Sequence, residues 1–373
     1  MIREEVRESF EDFIDGLDDP RIERNKLHSV EEILFLVLAA IVCGCEGWRD
    51  IERFGKIKLE FLRTVFPYAH GIPSDDTMRG FFRALDPENF RTCFVSWAKA
   101  LKAPDSNHLS IDGKVSRRSF NGDESPLHMV TAFASDCRIV LAQENVSDKS
   151  NEITAIPKLL EILDLKGSIV TIDAMGCQRE IAKAICEKGA DYVLSLKGNQ
   201  GNLHENVEWV FADEDILKEL KVNSAQTFDK NTHGRIEERT YRSILIPEEI
   251  KKEHDWPYLK TLIQVVSKRT IKGMVSEETR YYISSLENNA EKIGAAIRSH
   301  WAIENSLHWI LDVTFRDDDS RIRKGNAPQN IAVIKHVALN MLQKVKGKRD
   351  SIKLLRKSAG WDDKLLLTIL SSF

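Results

Sequence analysis

The stretch from about residue 105 to 196 limits the possible folds of this chain more than any other. It reads as three strands, a helix, a strand, a helix and a strand. His108 to Val115 alternates apolar and polar residues, as a half-buried strand does, and Leu127 to Ala134 and Arg138 to Asn145 follow as two more. Ser135-Asp136-Cys137 between the last two is short enough for a hairpin. Asn151 to Leu163 carries helical spacing in Ile153, Ile156, Leu159, Leu160 and Leu163. Ser168 to Ile172 is a short apolar strand, Cys177 to Lys188 a helix, and Asp191 to Leu196 another strand. Strands joined by a hairpin run antiparallel, and strands joined through a helix run parallel. The order therefore predicts an α/β domain whose mixed sheet attaches a parallel portion to an antiparallel hairpin.

The flanks read differently. Residues 1–104 are helical in pattern. Ser29 is placed to cap a helix with Glu31 and Glu32 in its first turn. The apolar run that follows, Ile33 to Cys45, is 13 residues long. A membrane span needs about 18 or more, so this is a buried core helix. Trp48, Ile51 and Phe54 mark the apolar stripe of a second helix, and Ser74-Asp75-Asp76 opens another. Asp86-Pro87 restarts the chain after a turn short enough for either a DNA-reading helix-turn-helix or a plain bundle corner. Residues 202–285 are charged and mixed, with a helix near Leu203 to Phe211 and strands near Arg239–Ile246, Leu259–Ser267 and Thr279–Ser285. Helices are expected over Ala290 to Leu311 and Asn330 to Lys344, then a basic helical tail over 346–373. A length of 373 residues fits two domains.

Charge narrows the partners. The net charge is −4, so no global basic field draws a polyanion, and a nucleic acid would have to be held by local patches. Arg316 to Lys357 is such a patch, with 12 Lys and Arg against 4 Asp. A solvated helix face is the alternative reading. Six cysteines at scattered spacing and an acidic, mixed first 16 residues predict a reducing cytoplasm, no secretion and no membrane.

Two aspartates close strands. Asp112 lies in Leu109-Ser-Ile-Asp-Gly-Lys114 and Asp173 in Val170-Thr-Ile-Asp-Ala174. A carboxylate at the end of an apolar strand is desolvated and needs a partner. Two of them converging from separate strands form a natural site for a hard cation. A third acid, Glu304, sits within Arg298-Ser-His-Trp-Ala-Ile-Glu-Asn-Ser-Leu-His-Trp309. His300, Glu304 and His308 recur every four residues, so they fall on nearly one helix face. No His-Glu-x-x-His motif is present to favour zinc. Asp312 and the run Asp317-Asp318-Asp319 are rival third acids, and the run reads as solvent-exposed and beyond the packed helix. Lys114, Arg117 and Arg118 past the first acid, and Lys197 and Asn199 past the last strand, are candidate phosphate contacts or ordinary strand-end surface. Arg321, Arg323 and Lys324 are placed to track a nucleic-acid backbone.

With these residues in this order, the chain resembles the DDE transposases of bacterial insertion sequences, specifically the H-repeat-associated (ISAs-type) group. The resemblance rests on Ile111-Asp-Gly-Lys114, Thr171-Ile-Asp-Ala-Met-Gly-Cys-Gln178, Leu196-Lys-Gly-Asn-Gln200 and the Glu304 segment. Leu311-Asp-Val-Thr-Phe315, Arg321-Ile-Arg-Lys-Gly-Asn-Ala-Pro328 and, upstream, Gly71-Ile-Pro-Ser-Asp-Asp-Thr77 with Leu85-Asp-Pro87 add to it. It runs from about Asp19 to Leu342.

The resemblance implies an RNase H-like catalytic domain over 105–345, with a β-rich insertion at about 202–285. It also implies a helical N-terminal domain over 1–104 that binds transposon ends. Asp112, Asp173 and Glu304 would be both the catalytic triad and the ligands of two Mg²⁺ ions, with Mn²⁺ as the possible substitute. The reaction implied is strand cleavage at the terminal inverted repeats of double-stranded DNA, then strand transfer into target DNA. A homodimer on DNA follows from the need to hold two ends together. The wider superfamily often places a tyrosine seven and an arginine four residues before the glutamate, and a lysine seven after it. Here those positions hold Ile297, His300 and Leu311. Arg298, Trp301 or His308 are the candidates to substitute for them, and Arg298, His300 and Trp301 are expected to contact DNA. A relic that binds DNA without cutting it is the first alternative. A phosphatase is the second, but neither strand-end aspartate carries an Asp-x-Asp motif or a glycine-rich phosphate loop.

Overall fold

The computed structural model describes residues 2–22, 26–103, 106–120, 125–146, 151–231 and 235–373. The domain boundary expected at 104–105 lies outside the described residues.

Six helices open the chain: α1 (Ile2–Phe13), α2 (Val30–Val42), α3 (Trp48–Ile57), the single turn α4 (Leu59–Leu62), α5 (Asp75–Ala84) and α6 (Pro87–Leu101). At the start of α2 the Ser29 hydroxyl accepts from Glu32 N–H, and the Glu32 carboxylate accepts from Ser29 N–H. This reciprocal capping fixes where the apolar run enters the helix. Every residue from Ile33 to Val42 is buried, so the run is a core helix. α5 and α6 turn Phe81, Phe82, Phe90 and Phe94 into the same core.

The expected strand order follows. The strands are β1 (His108–Val115), β2 (His128–Ala134), β3 (Ile139–Asn145), β4 (Ile169–Ile172) and β5 (Asp191–Leu196). β1 pairs antiparallel with β2 and β2 with β3, whereas β1 pairs parallel with β4 and β4 with β5. The spatial order β3-β2-β1-β4-β5 is the RNase H-like plan. α7 (Glu152–Glu161) packs on β2 and β3, and α8 (Arg179–Glu187) packs on β5 and α7.

The insertion extends this sheet. After α9 (Gly201–Ala212) and α10 (Glu214–Glu219) come β6 (Asn223–Asn231) and β7 (Arg235–Leu245). Beyond α11 (Glu248–His254) the strands are β8 (Thr261–Ile271) and β9 (Met274–Ser284). β9 pairs antiparallel with β5, so all nine strands form one sheet, β3-β2-β1-β4-β5-β9-β8-β7-β6. The β8–β9 hairpin turns on Lys272 and Gly273, both at positive φ (49° and 82°), as a tight two-residue turn matching strand twist requires.

The helix expected over 290–311 is interrupted. α12 (Ala290–Ile303) packs across β1, β4 and β5, then a π-helical turn spans Glu304–His308 before α13 (Trp309–Val313). α14 (Ala327–Val345) bolts the sheet to the N-terminal helices. Asn340 exchanges hydrogen bonds with the Val140 backbone at 2.8 Å, and Asn330 donates to Phe82 O and Leu85 O at 3.0 Å. The tail forms α15 (Ile352–Trp361) and α16 (Asp363–Leu370), which pack on α2. It is docked and no free arm. Arg356 is buried, donates to Ile41 O and Thr314 O, and lies 4.0 Å over the Phe315 ring. No helix among the described residues is long and apolar enough to cross a membrane.

Candidate active site at the ends of the central strands

Strand register brings the first two acids together. Ile111 pairs with Ile172 across the parallel β1–β4 ladder, so Asp112, inside β1, and Asp173, one residue past β4, stand at the same level. Neighbouring strands lie about 4.8 Å apart, which makes these two carboxylates neighbours by construction. Asp112 Oδ1 accepts from Gly113 N–H at 2.9 Å. Asp173 Oδ1 accepts from Met175 N–H at 3.1 Å and Gly176 N–H at 3.3 Å. These backbone donors fix both side chains.

Among the described residues, neither acid forms an ion pair with a lysine or arginine. Burial pushes the Asp112 carboxyl up to about 7, and the charges of Asp173, Glu152 and Glu304 push in the same direction against the Gly113 N–H. Asp173 is also raised, by burial first and by Glu152, while the Gly176 and Met175 N–H groups and Lys197 oppose the shift. Protonation of these two aspartates is favoured first by burial and then by the neighbouring carboxylate charges.

Glu304 arrives from the opposite side, on the first residue of the π-helical turn. Such a turn inserts a residue into the helix and re-aims the side chains on it, and π turns concentrate at functional sites. Among the described residues, the exposed Glu304 carboxylate makes no hydrogen bond or ion pair. It lines a cavity of about 320 Å³ with Asp173, Thr171, Lys197, Arg280, Tyr282, His300 and Trp301. The oxygen-only, mutually repelling carboxylates fit a hard divalent cation in chemistry. As the side chains stand, no three His, Cys, Asp or Glu among the described residues are close enough together to hold one.

Two histidines support the acids from within. His300 Nδ1 lies 2.9 Å from Thr171 Oγ1, and burial pushes its ring down to about 4. It is therefore a neutral ring docked on β4, not a cation offered to phosphate. His308 Nδ1 lies 3.5 Å from Asp112 Oδ2, and burial, then Lys114, lowers it to about 4.

The remaining sequence candidates divide. Lys197 lies on the cavity wall, and Trp301 carries the Arg280 guanidinium 5.4 Å from its ring centre. Asn199 donates to Ala174 O at 2.7 Å and so holds the loop after Asp173. Arg298 is paired with Asp229 of β6 at 3.1 Å. Lys114 is held by Asp312 at 2.7 Å and by Asp317 and Asp318 at 3.4 Å. Arg117 pairs with Asp318 at 3.4 Å and Arg118 with Asp319 at 3.0 Å. Arg323 donates to Arg118 O at 2.7 Å, and Arg321 and Lys324 are exposed.

The 317–319 run departs from expectation. Asp317 is not solvent-exposed: it accepts from Lys335 at 2.5 Å and Ser116 at 2.6 Å. Although burial opposes ionisation, Lys335 and Lys114 hold its carboxyl well below the usual range. The rival third acids are thus counter-ions: Asp312 and Asp317 of lysines, Asp318 of Lys114 and Arg117, and Asp319 of Arg118 and Arg316.

Sequence reasoning passed over Glu152, His128, Arg280 and Tyr282. Glu152 Oε1 lies 2.8 Å from His128 Nε2, and the pair covers Gly113 so closely that a methyl group there would run into the Glu152 carboxylate. A first-turn glutamate looks like an ordinary helix-dipole acid, and nothing in its spacing sets Glu152 apart.

Residues 11–98 match the family described as DDE_Tnp_1-associated, and residues 89–341 match the Transposase DDE domain. The chain is 40% identical over 372 residues to "Putative transposase YncI" of Escherichia coli O157:H7, covering 98% of this chain and 95% of that one. It is 38% identical over 354 residues to "H repeat-associated putative transposase YhhI" of Escherichia coli K12, covering 92% and 93%. Over 52 residues, 14% of this chain and 62% of the relative, it is 42% identical to "Inactive transposase YbfQ" of that strain. Among solved structures, a piggyBac transposase synaptic complex with hairpin DNA aligns at a TM-score of 0.43 and 12% identity, covering 99% and 78%. On the domain match and these full-length relatives, the chain belongs to the DDE transposases, in the group of the H repeat-associated proteins.

Proposed function

We propose that this chain is an active transposase that cuts DNA at the ends of its element and joins them to target DNA. Asp112, Asp173 and Glu304 are its reactive acids. The observation that carries this reading is the β1–β4 register, which sets Asp112 beside Asp173, with Glu304 lining one cavity with Asp173; burial and the facing charges of Asp173, Glu152 and Glu304 raise the Asp112 carboxyl in keeping with it. A region of uncompensated negative charge at strand ends is built to receive cations.

Asp112, Asp173 and Glu304 would hold a pair of Mg²⁺ ions, with Mn²⁺ able to replace them. When bound, such a pair activates the attacking oxygen and stabilises the leaving one in an in-line phosphoryl displacement. Lys197 and Arg280 neutralise the phosphate oxygens on the cavity wall, and Trp301 offers an aromatic face beside them. His300, kept neutral and tied to Thr171, fixes the helix that carries Glu304. In the first reaction a water oxygen attacks the end phosphodiester and the P–O3′ bond breaks, freeing a 3′-hydroxyl. In the second, that hydroxyl attacks a target phosphodiester and displaces the target's own 3′-oxygen. Residues 1–104 bind the terminal repeats, residues 105–345 carry out the chemistry, and two copies act together on paired ends in the cytoplasm.

Labelled duplex DNA carrying the element's flanking ends tests this reading, with Mg²⁺ or EDTA, for wild type, Asp112→Asn and Glu304→Gln. Metal-dependent nicking that both substitutions abolish is expected. DNA binding without nicking by wild type would instead make the chain a repurposed, non-cutting DNA-binding protein.

A further inference from the structure

A second cleft lies between α5 and the segment that follows the active-site helix. It has a volume of about 410 Å³ and is lined chiefly by Trp48, Arg79, Arg83, Arg321, Arg323 and Lys324. Five of these six side chains are cations, brought together from regions more than 200 residues apart. Arg79 and Arg83 stand one turn apart on α5, so they share a face. Among the described residues, Arg79 alone of the five has acidic partners, Asp75 at 3.0 Å and Asp76 at 3.1 Å. Among the described residues, the Arg83, Arg321 and Lys324 side chains make no hydrogen bond or ion pair.

The cleft is built, not incidental. Asn326 N–H donates to Arg83 O at 3.2 Å, and the Asn326 side chain donates to Leu85 O at 3.0 Å. Gly325 adopts φ +56°, and a Cβ there would lie 2.9 Å from Arg83 O. A glycine is therefore needed for the two segments to close on each other. Backbone contacts thus hold like charges together that repel one another without a ligand. Arg323 adds a link to the centre by donating to Arg118 O, on the segment that leaves β1 just beyond Asp112.

We infer that this cleft is a sequence-independent seat for the phosphate backbone of duplex DNA, shared between the N-terminal helices and the catalytic domain. Three features select this ligand. Guanidinium groups stay charged at any working pH and match phosphate oxygens in pairs. The aromatic floor is closed to bases, because Trp48 is buried and tilted against Phe82 with ring centres 5.2 Å apart. Contacts of this kind position a duplex without reading it. The cleft lies outside the cavity of Asp173 and Glu304, so it sets where the duplex lies and takes no part in the chemistry.

The inference rests on the reading that the chain acts on DNA, and the test separates the two. Fluorescence anisotropy measures affinity for a labelled duplex of arbitrary sequence over a fourfold range of salt. The proteins compared are wild type, Arg83→Ala/Arg321→Ala/Lys324→Ala and, as an equal change of charge elsewhere, Lys346→Ala/Lys348→Ala/Arg349→Ala. Each lost phosphate contact flattens the log–log salt dependence by about 0.9, so the cleft variant's slope should be shallower by about 2.7. The tail variant should stay near wild type, and Arg83→Lys/Arg321→Lys should restore most of the slope. Equal slopes for wild type and the cleft variant, or an equal flattening in the tail variant, would overturn the cleft while leaving the transposase reading intact. Preferential binding of single strands or free phosphate would overturn the duplex assignment. Failure of wild type to bind DNA would remove both.

Discussion

Two groups of acids border β1, and they are built in opposite ways. Asp112, Asp173 and Glu304 face one another and Glu152 with no cation paired to any of the three among the described residues. A few residues further along, Asp312, Asp317 and Asp318 surround Lys114, and Asp317 also holds Lys335. The chemistry of the side chains is identical. What differs is compensation: the first group gains stability by protonation or by a bound cation, whereas the second is already neutralised within the fold. An acidic run in a sequence therefore points to a reactive centre only where the fold leaves it unpaired. The paired group has its own task, because Lys335 on α14 and Lys114 on β1 tie α14 to the strand that carries Asp112.

Substitution should separate the groups. Asp173→Asn is expected to lower DNA cleavage by about 10³-fold or more, since several kcal/mol of transition-state stabilisation depend on the ions it helps to hold. Its melting temperature should not fall, because the change removes a repelling charge. Asp317→Asn should do the reverse. It leaves Lys335 without its carboxylate in a largely buried site, while Lys114 keeps Asp312 and Asp318, a loss of about 3 kcal/mol in a denaturant titration, and the folded fraction keeps its cleavage rate. A variant of either kind that lost both properties equally would erase the distinction.

Smaller effects sharpen it. Gly113→Ala pushes the Glu152–His128 pair off the β1 backbone and should cost about 1 kcal/mol, seen as a lower denaturation midpoint. The pH dependence has opposite signs in the two groups. Asp112 binds its proton more tightly folded (about 7) than unfolded (about 3.9), so its contribution makes the metal-free protein less stable as pH rises between those values. Asp317 is depressed in the fold, so its contribution is full above the unfolded value of about 4 and is lost as pH falls below it. Above pH 7, Mg²⁺ at tenfold its Kd should therefore raise wild-type stability by about 1.4 kcal/mol in thermal unfolding, and should leave Asp112→Asn nearly unmoved.

Local pattern carried much of this architecture. Alternation in β1, the short link between β2 and β3, and the helices before and after β4 are local signals, and together they fix the parallel register that aligns Asp112 with Asp173. The Ser29 cap and the buried run after it are equally local. β6 was illegible because its residues 223–230 form a mostly polar edge strand with no buried face to impose alternation. The π turn at Glu304 breaks a pattern that reads as continuous helix. The pairing of Lys114 with Asp317, of Glu152 with Gly113, and of Arg83 with Gly325 joins residues far apart in the chain, and no spacing rule reaches them. Arg356, read as part of a basic tail, instead spends its donors on the backbone carbonyls of Ile41 and Thr314.

The most direct test sets one acid from each group side by side. Mg²⁺-dependent nicking of end-bearing DNA would be measured for Glu304→Gln and Asp312→Asn prepared alike. The account predicts that Glu304→Gln is inactive while folded Asp312→Asn still cuts. Nicking that survives in Glu304→Gln and disappears in Asp312→Asn would place the third acid in the paired group and contradict the account.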